Sequence, residues 1–193
     1  VALRTQDLMV LRIINDNNWN RPIYFGVTVS PTSMLNLDNY LQMEGLAYRL
    51  VNNSNQIINQ NKMSDNLLSY IGDNSWFTDY DSNKYNLIDR DISKEYQRGY
   101  IFRNLANEKV YVDPQLGRLV QNYRTGFVRL SISHYLNKDF QKAEAALLKM
   151  EEIMPSSIIP IPSKQLQYQI AQVYSGVGNQ AKMKYHMKEL VER

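Results

Sequence analysis

The stretch that most constrains the fold is residues 113–155, which have the pattern of two consecutive helices. Asp113 is a residue type that caps helices, and Pro114 suits the first helical position, where no backbone N–H is needed. Apolar residues then recur every three or four positions: Leu116, Leu119, Val120, Tyr123, Phe127 and Leu130. A short polar stretch interrupts this pattern, and a second helical pattern follows, which Pro155 ends. The sequence therefore predicts a helical hairpin whose apolar face needs a neighbour.

A second hairpin of the same kind is predicted further along the chain. Residues 163–176 have a helical pattern capped by Ser163, and residues 178–191 form the next helix. Ala171, followed three residues later by Tyr174, is the combination of small and aromatic residues typical of a tetratricopeptide repeat. The four helices are thus similar to two tetratricopeptide-like helical hairpins, and a plain four-helix bundle is the alternative.

The N-terminal part combines helical and strand patterns. A helix at 5–17 precedes an apolar run at 23–29, a short helix at 36–43 and a second strand at 46–51. The run is apolar at nearly every position, which is typical of a strand buried on both faces in a parallel sheet. We therefore expect a small βαβ-like unit in which Gly45 ends the short helix.

These patterns place the chain in the α+β class, with helices predominant, and divide it into three parts. Residues 1–51 form an N-terminal α/β subdomain, and residues 113–193 form the tetratricopeptide-like repeat region. Residues 52–112 contain many Asn, Asp and Ser residues and predict an irregular connection, with short helices at 64–71 and 92–105.

Composition limits the classes of partner and cofactor. The 193 residues carry a net charge of only +3 without a basic cluster, so we expect no nucleic-acid partner. The chain has no cysteine, which excludes disulfides, thiolate catalysis and cysteine-bound zinc. No window approaches about 18 consecutive apolar residues, so we expect no direct membrane insertion. No cofactor motif is present, and none is expected. The first residue is Val and the sequence starts within a helical pattern, so we expect a piece of a longer protein.

Candidate ligating and catalytic residues are few. The two histidines, His134 and His186, lie in separate predicted helices, and His134 falls on an apolar face, where a core residue is far commoner than a metal ligand. Three residues are similar to the start of a calcium-binding loop: Asp79, Asp81 and Asn83. Lys84 stands where such a loop needs glycine, so a solvated acidic loop is the preferred interpretation. No catalytic residue is predicted.

The first long helix of the repeat region carries the candidate partner-binding residues. Arg118, Tyr123, Arg124 and Arg129 could line a concave groove that recognises a carboxylate or phosphate group on a partner. Arginines on a helix are more often solvated or bridge to the next element, and that alternative stays open.

Two N-terminal segments carry a family resemblance. They run from Asn18 to Phe25 and from Leu37 to Val51, and they contain the following motif residues: Trp19, Arg21, Pro22, Tyr24, Phe25, Tyr40, Glu44 and Gly45. Together with residues 122–124 they resemble the C-terminal soluble region of a bacterial family of multi-pass membrane proteins of unknown function. A eukaryotic relative of that family is a transmembrane protein O-mannosyltransferase with a tetratricopeptide tail. The resemblance covers about residues 5–51 and 110–193, and it implies a structural role for the motif residues.

The resemblance also implies a location and a role. The parent would be a glycosyltransferase-like membrane protein whose chemistry lies in its membrane part. This chain would be its non-catalytic periplasmic or other extracytoplasmic tail, tethered through preceding transmembrane segments, and it would bind a protein partner or the parent's own membrane domain. The alternative function is a small sugar-binding or sugar-processing domain with a site in the Asn/Asp-rich loop 74–91. An exposed edge of the strand at 23–29 would also allow two copies to pair as a homodimer.

Overall fold

The computed structural model describes residues 3–52, 57–68, 99–100 and 102–191. The chain forms two compact units, residues 1–63 and residues 64–193. The described helices are α1 (Thr5–Asn17), α2 (Gln60–Leu68), α3 (Pro114–Leu136), α4 (Phe140–Ile153), α5 (Lys164–Gly176) and α6 (Gln180–Val191). The described strands are β1 (Tyr24–Gly26), β2 (Leu41–Met43) and β3 (Ala47–Leu50). The predicted α+β class with predominant helices is confirmed, and the three-part division stays a prediction.

The sheet of the first unit is antiparallel and has the strand order β1-β3-β2. Phe25 of β1 lies opposite Tyr48 of β3, and Leu41 of β2 lies opposite Leu50 of β3. α1 covers the apolar face of the sheet, where its apolar side chains pack against a buried cluster: Val10 and Ile14 against Phe25, Met34, Leu41 and Leu50. One apolar and one polar face are typical of a small antiparallel sheet.

The predicted βαβ-like unit with a parallel sheet is wrong. A tight turn joins β2 to β3, and Gly45 adopts a φ of 96° there, so the two strands run in opposite directions. Gly45 therefore serves a turn between strands and does not end a helix. Residues 36–43 contain a single 3-10 turn, Asp38–Tyr40, followed by β2. Leu41 and Met43 are both buried, which is the period-two pattern of a strand and not that of a helix.

β1 is also shorter than the predicted strand 23–29. Only Phe25 of its three residues is buried, while Tyr24 and Gly26 are exposed. β1 is an edge strand of the sheet formed by the described residues, and the exposure of Tyr24 shows that the apolar sequence of this run does not bring cover on both faces.

The other helices predicted outside the hairpins have mixed outcomes. The helix at 5–17 is confirmed as α1, and the helix at 64–71 overlaps α2, with residues 69–71 outside the described residues. Within 92–105, residues 99–100 and 102–105 are not helical, and the rest lies outside the described residues. None of the helices in the described ranges combines the length and the apolar content needed to cross a bilayer.

The second unit contains two successive helical hairpins, as predicted. α3 packs against α4, α5 packs against α6, and α5 also contacts α3 and α4. Asp113 caps α3 by accepting a hydrogen bond from Gln115 N at 2.7 Å, and Ser163 caps α5 by accepting one from Leu166 N at 3.2 Å. Small buried residues let the helices approach closely, and bulky ones fill the core between them: Ala143 and Ala171, then Phe127, Leu130, Leu147 and Ile170.

Gly176, in the last turn of α5, leaves the space that the ring of Tyr135 occupies. A Cβ atom at this position would lie 2.5 Å from Tyr135 Cε2, and the ring is held against Phe140 with a centroid distance of 5.4 Å. Gly176→Ala is therefore expected to lower the free energy of unfolding by about 1 kcal/mol, because the packing lost when the ring moves exceeds the gain from the better helix propensity of alanine. Urea denaturation measures this loss. Adding Gly176→Ala to Tyr135→Ala should cost little more, and a fully additive loss would contradict the clash.

Candidate functional site

A groove of about 340 Å³ lies between α3 and α5, the first helices of the two hairpins. One wall is formed by α3 and the other by the start of α5 with the residues before it: Gln121, Thr125, Val128, Arg129 and Ile132 face Pro162, Ser163, Gln165, Leu166 and Gln169. Amide and hydroxyl side chains lie among apolar ones, and Arg129 carries the one charge among these lining residues. Such a lining suits an extended peptide, whose main chain offers both donors and acceptors.

Further residues of α3 lie, by helical periodicity, on the same side of the helix as the residues that line the groove; this side is called the groove face. Arg129 follows Arg118 by about three turns at roughly 3.6 residues per turn, so both residues lie on the same side of the helix. Leu136 lies about two turns further along that side, and its side chain is 71% exposed. Arg118 is exposed and Arg129 is half-buried. Two of the four predicted partner-binding residues, Arg118 and Arg129, thus share the groove face.

Arg124 does not belong to this surface. Its side chain is 0% exposed, and its guanidinium donates to the carbonyl oxygens of Met154 and Ile159 at 2.8 Å each and to that of Pro160 at 3.3 Å. It also donates to Gln121 Oε1 at 2.7 Å. These carbonyls belong to the connection between α4 and α5, so Arg124 fixes the path of the chain from one hairpin to the next. The prediction that Arg124 contacts a partner is wrong, because helical spacing does not show that a distant loop encloses the guanidinium.

Tyr123 lies on another side of α3 and takes part in an aromatic cluster. Its ring packs edge-on against Tyr100 and Phe102, with centroid distances of 5.3 and 5.2 Å. Phe102 in turn contacts the buried Phe127 at 5.9 Å. Burial, and to a lesser degree the neighbouring Tyr100, raise the pKa of the Tyr123 hydroxyl. These contacts give Tyr123 a packing role in the second unit, away from the groove.

A second concave region, of about 410 Å³, adjoins a polar cluster centred on Glu151 of α4. Tyr174 Oη donates to Glu151 Oε1 at 2.8 Å, His186 Nε2 lies 2.8 Å from the same oxygen, and Lys182 Nζ pairs with Oε2. Burial alone would raise the pKa of the Glu151 carboxyl, but the hydrogen bonds from His186, Lys182 and Tyr174 outweigh it and hold that pKa below its ordinary value. The cluster ties α4 to α5 and α6.

His186 is buried, and both of its ring nitrogens are engaged. Gln167 Nε2 lies 3.0 Å from His186 Nδ1. An amide nitrogen only donates, so Nδ1 accepts, and the ring proton resides on Nε2, which donates to Glu151. A histidine that acts as a general base needs a nitrogen that a substrate can reach. The pair of Glu151 and His186 is therefore arranged as a structural link between helices.

The remaining ligating candidates do not form a metal centre in the described part of the chain. No group of three His, Asp or Glu side chains there is placed to hold a metal ion. His134 is a core residue, as predicted, and its Nε2 forms no hydrogen bond. Burial lowers the pKa of His134, while Asp139 partly opposes this effect. The calcium candidates Asp79, Asp81 and Asn83, with the whole loop 74–91, lie outside the described residues.

Some of the family-motif residues meet at a buried carboxylate in the first unit. Tyr24 Oη donates to Glu44 Oε2 at 3.0 Å, Asn59 Nδ2 donates to Glu44 Oε1 at 2.9 Å, and the guanidinium of Arg49 lies 3.7 Å from Oε1. Burial and the carboxylate raise the pKa of the Tyr24 hydroxyl. Gly45 follows Glu44 in the turn between β2 and β3. The cluster thus joins β1, this turn and the segment before α2.

The other motif residues are mostly on the surface: Trp19, Arg21, Pro22 and Tyr40 are exposed, while Phe25 lies in the core. The turn before β1 is held by Asn17, whose Nδ2 donates to the carbonyl oxygen of Arg21 at 2.7 Å. Arg21 N donates back to Asn17 Oδ1 at 3.2 Å. The backbone of Arg21 therefore has a defined local role.

Sequence reasoning missed the amide side of the groove and the cluster around Glu151. Gln165 and Gln169 are one turn apart on the polar side of α5, and that recurrence is the signal that would have identified a polar face opposite the buried Ile170. No comparable signal marks Glu151, because its partners follow it by 23 to 35 positions.

Comparison with known families places a match on the first unit and α2. The matching family model is TMEM260-associated domain 2, and it spans residues 1–68. Over these residues the chain is similar to the TMEM260-associated domain. The predicted link to this family is thereby confirmed for the N-terminal segment, while bacterial origin stays a prediction. No curated protein and no solved structure matches the chain.

Proposed function

We propose that this chain is a non-catalytic, tetratricopeptide-like interaction segment of a TMEM260-related membrane protein, with the groove between α3 and α5 as its partner-binding site. The observation that carries the proposal is the position of this groove between the first helices of two successive hairpins, together with its lining of amides, hydroxyls and Arg129. The link to a TMEM260-related protein rests on the match of residues 1–68.

The proposed occupant is an extended peptide that carries an acidic residue. Gln165 and Gln169 each offer a donor and an acceptor to a peptide main chain. Arg129, on the opposite wall, supplies the positive charge for a carboxylate. Ile132, which is half-buried, and Pro162, which is exposed, offer apolar surface for the side chains between the polar contacts. The peptide would come from a separate protein or from the membrane domain of the same protein.

We expect Arg129→Glu to weaken binding of an acidic peptide by roughly 10- to 100-fold, because it replaces a charge-assisted hydrogen bond by repulsion. A library of extended acidic peptides, followed by fluorescence polarisation with the best binder, measures this change. Lys184→Glu is the matched control, since it makes the same charge change on the exposed side of α6.

Three outcomes would contradict the groove as the binding site or the chain as non-catalytic. The first is a library without any binder, and the second is an equal loss of affinity in Arg129→Glu and Lys184→Glu. The third is turnover of a glycosyl donor by this chain alone.

We further propose that the segment lies on the extracytoplasmic side of the membrane, tethered through transmembrane segments that precede it. The support is its similarity to a TMEM260-associated domain. Protease treatment of sealed membrane vesicles of known orientation tests this location. Digestion of the segment only in vesicles that expose the extracytoplasmic face is the expected result, and digestion only in the opposite orientation would overturn the proposal.

A further inference from the structure

The concave region of about 410 Å³ beside Glu151 lies between the second helices of the two hairpins and is called the α4–α6 pocket here. α4, α6 and the connection after α4 each contribute to its lining: Leu148, Glu151 and Glu152, then Lys182 and Tyr185, then Pro155, Ser156 and Ser157. The pocket shares no lining residue with the groove between α3 and α5. Its volume is within the range of about 300–1,000 Å³ that is usual for ligand pockets.

Two exposed apolar side chains from different helices line the α4–α6 pocket. Leu148 of α4 is 42% exposed, and Tyr185 of α6 is 44% exposed. The hydroxyl of Tyr185 lies 2.8 Å from Ser156 Oγ, so a hydrogen bond ties the end of the ring to the connection after α4. A ring that is already held in place loses little freedom when a ligand covers it. The pocket therefore offers a preformed aromatic surface with an aliphatic neighbour.

The charged side chains of the lining favour a cationic ligand. Glu151 is paired with Lys182, so Glu152 is the carboxylate that the pocket offers to a ligand. Glu152 Oε1 accepts from Lys149 Nζ at 2.8 Å, and Oε2 has no partner in the described part of the chain. The Glu152 side chain is 68% exposed, and an exposed ion pair within one helix contributes little, so a ligand displaces it at low cost. An anionic ligand would instead face two carboxylates.

We propose that the α4–α6 pocket binds an arginine side chain of a partner protein, with the guanidinium stacked on the ring of Tyr185 and bonded to Glu152 Oε2. The planar guanidinium stacks on aromatic rings and donates to carboxylates, and its aliphatic stem would lie along Leu148. An ammonium is compact and more strongly hydrated, so lysine suits the ring less well. The exposed walls leave the pocket open at the surface, which suits a side chain that projects from another protein, and arginine is enriched at such anchor positions. This site is additional to the groove, whose proposed ligand is acidic.

Short capped peptides test the pocket by NMR titration of the isotope-labelled chain. The peptide acetyl-Gly-Arg-Gly-amide is expected to shift the amide signals of Glu152 and Tyr185 with a Kd of about 1 mM, the affinity expected of a single side chain in an open pocket. The same peptide with citrulline in place of arginine has nearly the same shape without the charge, and it should bind at least roughly fivefold more weakly. The peptide with lysine should bind at least roughly threefold more weakly, because it does not stack.

Substitutions in the pocket provide the second readout. Glu152→Gln and Tyr185→Leu should each weaken binding of the arginine peptide by roughly 3- to 10-fold, because each removes one of the two contacts with the guanidinium. Tyr185→Phe keeps the ring and should bind almost as well as wild type. Asp16→Asn is the matched control for Glu152→Gln, since it neutralises another exposed carboxylate that pairs within its own helix. Circular dichroism checks that each variant stays folded.

Four outcomes would overturn the arginine site. The first is an arginine peptide that leaves the signals of Glu152 and Tyr185 unchanged. The second is equal affinity for the arginine peptide and either the citrulline or the lysine peptide. The third is a loss of affinity in Asp16→Asn as large as that in Glu152→Gln, and the fourth is wild-type affinity in a folded Tyr185→Leu variant.

Discussion

Arg124→Leu is expected to destabilise the second unit severely, with a loss of about 3–5 kcal/mol in the free energy of unfolding. The guanidinium is fully buried and donates to three backbone carbonyls of the connection between α4 and α5. Leucine leaves these carbonyls without that donor, and each buried unsatisfied acceptor costs about 1–3 kcal/mol. Urea denaturation followed by far-UV circular dichroism measures the loss.

Two further variants separate the hydrogen bonds from the charge. Arg124→Lys keeps the charge, but an ammonium lacks the planar fork that reaches several carbonyls at once, so a loss between those of wild type and Arg124→Leu is expected. Arg118→Leu is the matched control on the same helix, and its exposed position predicts a change within about 0.5 kcal/mol. If Arg124→Leu unfolds at the same urea concentration as Arg118→Leu, the structural role assigned to Arg124 is wrong.

Glu151→Gln is expected to give the second-largest loss, about 2–4 kcal/mol at neutral pH. The carboxylate accepts from Tyr174 and His186 and pairs with Lys182, and the neutral amide cannot serve all three donors. Glu152→Gln is the matched control, because the Glu152 side chain is 68% exposed. Equal stabilities of the two variants would contradict the role of the Glu151 cluster.

The same variant should also change the pH dependence of stability. Because the pKa of Glu151 is lower in the folded protein than its ordinary value of 4.5, its contribution is present above that value and is lost as pH falls towards the folded pKa. The stability difference between wild type and Glu151→Gln should therefore shrink as the pH falls below about 4.5. Urea denaturation at a series of pH values measures it, and a difference independent of pH would contradict the assigned pKa shift.

Local signals in the sequence made the helices predictable. No local signal gave the direction of the strands. Asp113, Pro114 and Ser163 mark helix starts through bonds to neighbouring residues, and apolar spacing marks the buried faces. The sheet was predicted as parallel because the residues around Phe25 are apolar throughout. Strand direction depends on which strands pair, and here the turn at Gly45 decides it.

The candidate site was only partly predictable for a related reason. Arg118 and Arg129 share a face through regular helical spacing, which a sequence shows directly. The burial of Arg124 depends on carbonyls that follow it by 30 to 36 positions, and no local pattern reports such a contact. Long-range polar contacts of this kind appear only once the chain has been folded.

The contacts of Arg124 have a consequence for the shape of the groove. Arg124 belongs to the helix of one wall, and the carbonyls that it holds belong to the segment leading into the other wall. The Arg124 side chain thus links the two walls at one end of the groove and holds their spacing in the absence of a ligand. The proposed peptide would therefore bind with little rearrangement of the groove, and peptides that already fit its width would bind best.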